Sequence, residues 1–260
     1  MKRLLLFLSL CFVCSAAIAH TINWYVDGSI YHTTTCESGD DITPPTAPEK
    51  YGYTFKGWDT HYGIIEYLES TGTQWIDTEW FFSKNYSDFE ISVTFSDSGV
   101  QPNIWAVISG VNLGASGEKQ YYLVQYDQSS INSIVVHNSD NNLSQTFTVE
   151  EGGKHNFVMQ YKNGVTTIAN GSDTKYLSDD IQYRGEHSLY LFAAHGPSGA
   201  VQFSKIKMYS FSIKVDGVLV HDFVPVLDME GIPCMYDKIS GQFYYNAGTG
   251  DFIAGPIIGE

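Results

Sequence analysis

The sequence predicts an all-β chain: a two-sheet antiparallel sandwich preceded by a small β module. Three observations carry this. Tyrosine and phenylalanine are abundant, 18 and 15 of 260 residues, and such rings suit a pleated, half-buried surface. Beyond the N-terminal segment no window keeps an apolar i, i+3, i+4, i+7 stripe over three turns, so no amphipathic helix is expected. Turn residues instead punctuate short alternating runs at sandwich spacing, with Lys162-Asn163-Gly164 and Asp216-Gly217 as the clearest hairpin connections.

Met1-Lys2-Arg3 followed by Leu4 to Val13 gives a basic start and an apolar run of roughly ten residues. That is the size of a secretory signal segment and too short to span a bilayer. Ala17-Ile18-Ala19 supplies small residues for cleavage before His20. A lipoprotein anchor is the alternative, but Cys11 follows Ser9-Leu10 and Cys14 follows Phe12-Val13, without the small residue that a lipobox places before its cysteine. No later apolar run approaches the roughly 20 residues of a membrane span. The expectation is an exported protein of the periplasm, the cell envelope or the medium. Loss of Lys2 and Arg3 leaves 12 Lys+Arg against 29 Asp+Glu, moving the formal charge from -15 to -17. This acidity disfavours nucleic acid and anionic membrane as partners. It serves solubility or attracts Ca2+ or a basic partner. Cys36 and Cys234 remain after cleavage, and the sequence leaves both a bridge and two separate thiols open.

The first module runs over residues 20–61. Thr21 to Val26 and Ser29 to Thr35 alternate around Asp27-Gly28, which predicts a hairpin. Pro44, Pro45 and Pro48 fix an extended approach, and Gly52-Tyr53-Thr54-Phe55-Lys56-Gly57-Trp58 reads as a further strand. A module this small needs large aromatic area to bury, so Tyr53, Phe55 and Trp58 are expected in its core rather than at a ligand. The hairpin, the proline approach and the closing heptapeptide resemble the Listeria/Bacteroides repeat, the internalin B-type surface repeat. That resemblance implies a β-grasp-like unit of an exported bacterial protein.

Residues 62–260 read as the sandwich. Strands are expected over 89–95, 103–109, 120–126, 131–137, 145–149, 155–161, 165–169, 188–193, 201–215 and 218–223. Two stretches bracket them. Ile65 to Thr78 includes Ser70-Thr71-Gly72-Thr73-Gln74-Trp75-Ile76-Asp77-Thr78, and the end carries Asp222-Phe223-Val224-Pro225, Tyr236-Asp237-Lys238 and Gln242 to Gly250. In order and spacing these are similar to the opening and closing strands of a laminin G-like, concanavalin A-like jelly roll. Lying side by side, they would cover each other's edges and close the domain. Both motifs are therefore assigned to structure. Phe243 and Tyr245 are expected on one face and Tyr244 on the other, with Phe243 in the core and its truncation costing several kcal/mol.

Catalytic patterns are sparse. Asp88 and Glu90 put two acids on one strand face but lack the third member of the Glu-x-Asp-x-(x)-Glu pattern of sandwich glycoside hydrolases, so a solvated face is expected. No Gly-x-Ser-x-Gly occurs, and His137, His155, His187, His195 and His221 show no metal-ligand spacing. Asp140-Asn141-Asn142 is an oxygen-rich loop without EF-hand order. The reading is a non-enzymatic binding or adhesion protein without cofactor or metal, taking an extracellular glycan or protein ligand. A structural role without ligand, or a divergent glycoside hydrolase, is the alternative. Trp80, Trp105, Tyr121, Tyr122 and Tyr126 are aromatic candidates for a ligand or for the core, because alternation alone does not say which face points inward. No binding residue is assigned, and the surface is sought between Trp80 and Gly199.

Overall fold

The computed structural model describes residues 19–26, 29–37, 43–55, 62–83, 86, 88–112, 121–128, 130–137, 144–178 and 187–259. The signal-like residues 1–18, Trp58 and the Asp140-Asn141-Asn142 loop lie outside them. The chain divides into two compact units, residues 1–60 and 61–260.

In the first unit β1 (Ala19–Val26) and β2 (Ser29–Glu37) form the expected antiparallel hairpin, with Trp24 Nε1 donating to Thr34 Oγ1 at 2.8 Å. Among the described residues, 52–55 do not form the strand expected around Tyr53. Residues 53–55 are irregular after a turn in which Tyr53 N donates to the Lys50 carbonyl. Outside a strand the two-residue period that would bury Tyr53 and Phe55 does not operate, and both are exposed, at 72% and 38%. They line a cleft of about 550 Å³ with Tyr31, Pro48 and Lys50, whose ammonium lies 4.6 Å from the Tyr53 ring centre.

The second unit contributes, in chain order, β3 (Gly63–Ile65), β4 (Leu68–Glu69), β5 (Ile76–Phe81), β6 (Asp88–Asp97), β7 (Val107–Asn112), β8 (Tyr121–Asp127), β9 (Ser130–His137), β10 (Ser144–Thr148), β11 (His155–Lys162) and β12 (Val165–Asn170). There follow β13 (Asp173–Ser178), β14 (Ser188–Leu191), β15 (Ala194–Gly196), β16 (Gly199–Val201), β17 (Ile206–Val215), β18 (Val218–Leu227), β19 (Pro233–Asp237), β20 (Gln242–Tyr244), β21 (Ile253–Ala254) and β22 (Ile257–Gly259). No helix occurs among the described residues.

Two antiparallel sheets make a sandwich. The smaller has the order β10-β9-β8-β7-β14-β5, and the β15–β16 hairpin joins it through a short parallel bridge to β7. The larger has the order β13-β12-β11-β6-β17-β18-β19-β20, extended by β3, β4, β21 and β22. Alternation fills the space between them. Phe89, Ile91, Val93 and Phe95 of β6 meet Tyr122, Val124 and Tyr126 of β8 in one buried cluster. The hairpin turns are as read: Asn163-Gly164 and Asp216-Gly217 take φ of 51° and 78°, and 49° and 80°, the two positive angles of a primed turn.

The bracketing motifs do lie side by side. β4 pairs with β21 and β3 with β22. Between them Ala247 N donates to the Trp75 carbonyl (2.9 Å), Gln74 Nε2 to the Asp251 carbonyl (3.0 Å) and Thr73 Oγ1 to the Thr249 carbonyl (2.7 Å).

Several expectations are corrected. Strand β7 starts at Val107 rather than 103, because buried Gln101 exchanges hydrogen bonds with the Lys205 backbone and Asn103 Nδ2 reaches the Phe203 carbonyl, making residues 98–105 a tied loop. The run 201–215 breaks at Gln202, whose φ is 56°, so β16 and β17 are separate. Strands β13, β15 and β16 were not expected. Tyr244, not Phe243, packs against the core, 5.0 Å from Phe223. Phe243 lies opposite Tyr236 across the ladder and joins Tyr62 and Tyr245 on the outer face, half-buried. The penalty of a core truncation therefore does not apply to it.

Candidate functional site

The smaller sheet turns Tyr122, Val124, Tyr126 and Trp80 into the core, so three of the five aromatic candidates are unavailable to a ligand. The side chain of Tyr121 lies outside the described ones, and Trp105, 37% exposed, sits in the tied loop before β7. What the sheet shows on its other face begins in the opening motif itself. Along Gln74-Trp75-Ile76-Asp77-Thr78-Glu79-Trp80-Phe81 the even positions are buried, while Trp75 and Asp77 are half-buried and Glu79 and Phe81 exposed. One strand thus serves the seam with half of its residues and the surface with the other half.

Asp77 lies directly opposite Tyr190 of β14. The Trp75 and Tyr190 rings stack with centroids 4.3 Å apart, and Tyr190 stacks on His195 at 3.9 Å. His187 meets His195 edge-on at 4.7 Å. Four rings therefore run as a continuous series along the edge of the sheet. Local backbone irregularity sets it up. The register of β5 against β14 shifts between Ser188 and Tyr190, and Glu79 takes a φ of 57° while its N–H donates to Asp77 Oδ1 at 2.8 Å. Phe192, at φ 65°, turns the chain back so that β15 brings His195 to β14.

His195 Nδ1 lies 2.8 Å from the Ser188 carbonyl, which only accepts, so Nδ1 carries the proton. Nε2 is then the acceptor for the Tyr190 hydroxyl at 3.3 Å. Burial pushes the His195 imidazole below the usual histidine range against the opposing pull of the Ser188 bond. Burial, and then the Asp77 charge, pushes the Tyr190 phenol up to about 12.

Deeper on the same face, the ladder registers place Asp77, Tyr190, Gly110, Leu123 and His137 in one row across five strands. Gln125 Nε2 lies 3.1 Å from His137 Nε2. Burial lowers the pKa of this ring as well, against the opposing pull of the Asp127 charge. The site is a set of aromatic faces with imidazoles, a phenol and the carboxylates of Asp77 and Glu79. It offers apolar stacking beside hydrogen-bond donors and acceptors.

A stability dependence follows. The folded imidazoles of His137 and His195 refuse protons that the unfolded chain accepts near its usual pKa of about 6.5, so stability falls as pH drops through that value. A second loss is expected in stronger acid from Asp237, treated in the Discussion. A melting temperature unchanged between pH 7.5 and pH 5, scanned at fixed ionic strength, would contradict the first stage.

Other sequence candidates are not brought to this place. Asp88 and Glu90 lie on the outer face of the larger sheet, each 2.7 Å from a lysine directly across the ladder, Lys162 and Lys214. They form a partly exposed, ion-paired strand face. His221 bonds Asp237, and His155 packs on Phe95. Among the described residues no group of three or more His, Cys, Asp and Glu gathers to hold a metal ion. Cys234 is a free, buried thiol whose pKa burial raises to about 12, and the side chain of Cys36 is outside the described ones.

No family model matches the sequence. Among solved structures the chain is similar to a candidate carbohydrate binding protein from Bacteroides ovatus, with 13% identity and a TM-score of 0.50 over 75% of this chain and 62% of that one. It is also similar to the CBM40 of a Ruminococcus gnavus IT-sialidase (11% identity, TM-score 0.40, 61% of this chain and 91% of that one). A third is the family 7 alginate lyase A1-II' (12% identity, TM-score 0.38, 55% and 66%). The chain spans less than two thirds of the first and third of these. At such identities the likeness is one of fold, the jelly-roll sandwich.

Proposed function

We propose that the protein is an exported bacterial carbohydrate-binding module whose ligand lies on the half-buried Trp75 and His195 rings, held in place by the buried Tyr190 between them. The observation that carries this reading is the stack itself, in which half-buried Trp75 and His195 enclose the buried Tyr190 ring, on a strand that also carries exposed Phe81 and two carboxylates. Sugar rings present C–H faces to aromatic rings and hydroxyls to polar groups, and that pairing matches what is assembled here. The Bacteroides ovatus protein, described as carbohydrate binding, supports the reading. The N-terminal module, on its resemblance to an internalin B-type surface repeat, and the signal-like start support placement in the envelope or outside the cell. The role is adhesion or capture, without catalysis.

A glycan array probed with residues 20–260 tests this. Saturable binding is expected, reduced about tenfold or more by Trp75→Ala, while Trp105→Ala binds as wild type. A blank array would favour the alternative, a structural or assembly role without a dedicated ligand.

One observation favours a second reading. The Tyr190 hydroxyl beside the neutral His195 Nε2 is an acid and base in contact, the equipment of a polysaccharide-cleaving enzyme. Glycan turnover that vanishes in Tyr190→Phe while binding persists would establish it.

A further inference from the structure

We infer that this site selects neutral or amino-bearing glycans and rejects anionic ones such as sialylated or uronate chains. The inference rests on the carbohydrate reading above and adds the charge class of the ligand. The two carboxylates beside the ring stack, Asp77 and Glu79, both belong to outward positions of the edge strand β5. Neither has an ion-pair partner among the described residues, in contrast to Asp88, Glu90 and Asp222, each of which meets a lysine within 2.7 Å.

Their fields reach the neighbouring groups. Asp77 helps to raise the pKa of Tyr190, and both carboxylates help to raise that of Tyr244 after burial. No lysine or arginine occurs in any strand of the smaller sheet: β5, β7, β8, β9, β10, β14, β15 and β16 are free of them. Burial lowers the pKa of His195, the imidazole stacked on Tyr190, and its Nδ1 proton is committed to the Ser188 carbonyl.

A carboxylate is an acceptor only, so Asp77 and Glu79 ask the ligand for donors, which hydroxyls and ammonium groups supply and a sugar carboxylate does not. The chain as a whole, at a formal charge of -15, adds a long-range bias of the same sign.

The test compares, for the full chain from residue 20 at low ionic strength, binding of neutral oligosaccharides, chitosan oligomers, sialyllactose and oligogalacturonate. Neutral or chitosan ligands are expected to bind about tenfold more tightly than the anionic ones, the order that two like-charge contacts in high dielectric produce. The ratio should shrink toward one at 0.5 M salt and in the double variant Asp77→Asn, Glu79→Gln. Anionic ligands bound as tightly as neutral ones, or a ratio that ignores both salt and the double variant, would overturn the inference and leave the carbohydrate reading standing. Absence of binding to every probe would remove both.

Discussion

Replacing Asp237 with alanine is expected to lower the unfolding free energy by about 4 kcal/mol. The carboxylate is fully buried and accepts from four groups: the Asp222 N–H (2.8 Å), the Ile239 N–H (3.1 Å), the Ser240 N–H (3.3 Å) and His221 Nδ1 (2.9 Å). Burial alone would raise its pKa, yet these bonds outweigh it and hold the group below the usual carboxylate value. Alanine leaves the donors without an acceptor where β18, β19 and the turn to β20 meet. The sign of the linkage is that of a depressed acid. The stabilisation is complete above the unfolded pKa of about 3.9 and is lost as pH falls through the lower folded value. Urea unfolding at pH 7 checks the magnitude. A loss under 1 kcal/mol would show that the network is dispensable.

Gly248→Ala should cost about 3 kcal/mol or more by forcing the seam apart. A Cβ at this position would stand 2.1 Å from the Thr73 carbonyl oxygen, 2.9 Å from Trp75 Cδ1 and 3.1 Å from Gln74 Cα, and two of these are backbone atoms that cannot swing aside. Relief requires moving the segment that carries the Ala247 to Trp75 and Thr249 to Thr73 hydrogen bonds. Because Trp75 is the first ring of the stack, the same change should weaken glycan binding as well as lower the melting temperature. Wild-type stability in this variant would mean that the two motifs do not close the domain.

The fold was legible because its signals are local and periodic. The β6 alternation of Phe89, Ile91, Val93 and Phe95, and the Asn163-Gly164 and Asp216-Gly217 turns, need nothing beyond their own residues to be read. The errors fall where long-range partners decide. Nothing near residue 103 announces that Gln101 and Asn103 will bond to 203 and 205, which converts an apparent strand into a loop and exposes Trp105. Phe243 and Tyr244 look equivalent in sequence, and only the pairing of β20 with β19 decides that Tyr244 faces Phe223.

The site was missed for a related reason. Trp75 and Asp77 lie inside a motif distinctive enough to be read wholly as structure, although its own alternation separates Gln74, Ile76 and Thr78 from Trp75, Asp77 and Glu79. His187 and His195 have no ligand-like spacing. They meet because the chain reverses at Phe192, a bulky residue at positive φ that no propensity argument would place there. A distinctive motif can therefore close a fold on one face and offer a surface on the other, and the outward half of this one is where recognition is expected.

The most direct test observes the tryptophans during ligand titration. The protein has five, at positions 24, 58, 75, 80 and 105, and each gives one indole N–H resonance in a 15N-labelled sample. Titration with the tightest-binding neutral oligosaccharide from the array should shift the Trp75 resonance together with the His195 ring signals. Trp24, Trp80 and Trp105 should stay within the change seen for the protein as a whole. Saturable binding that leaves Trp75 and His195 in place while moving Trp24 or Trp105 would contradict the account.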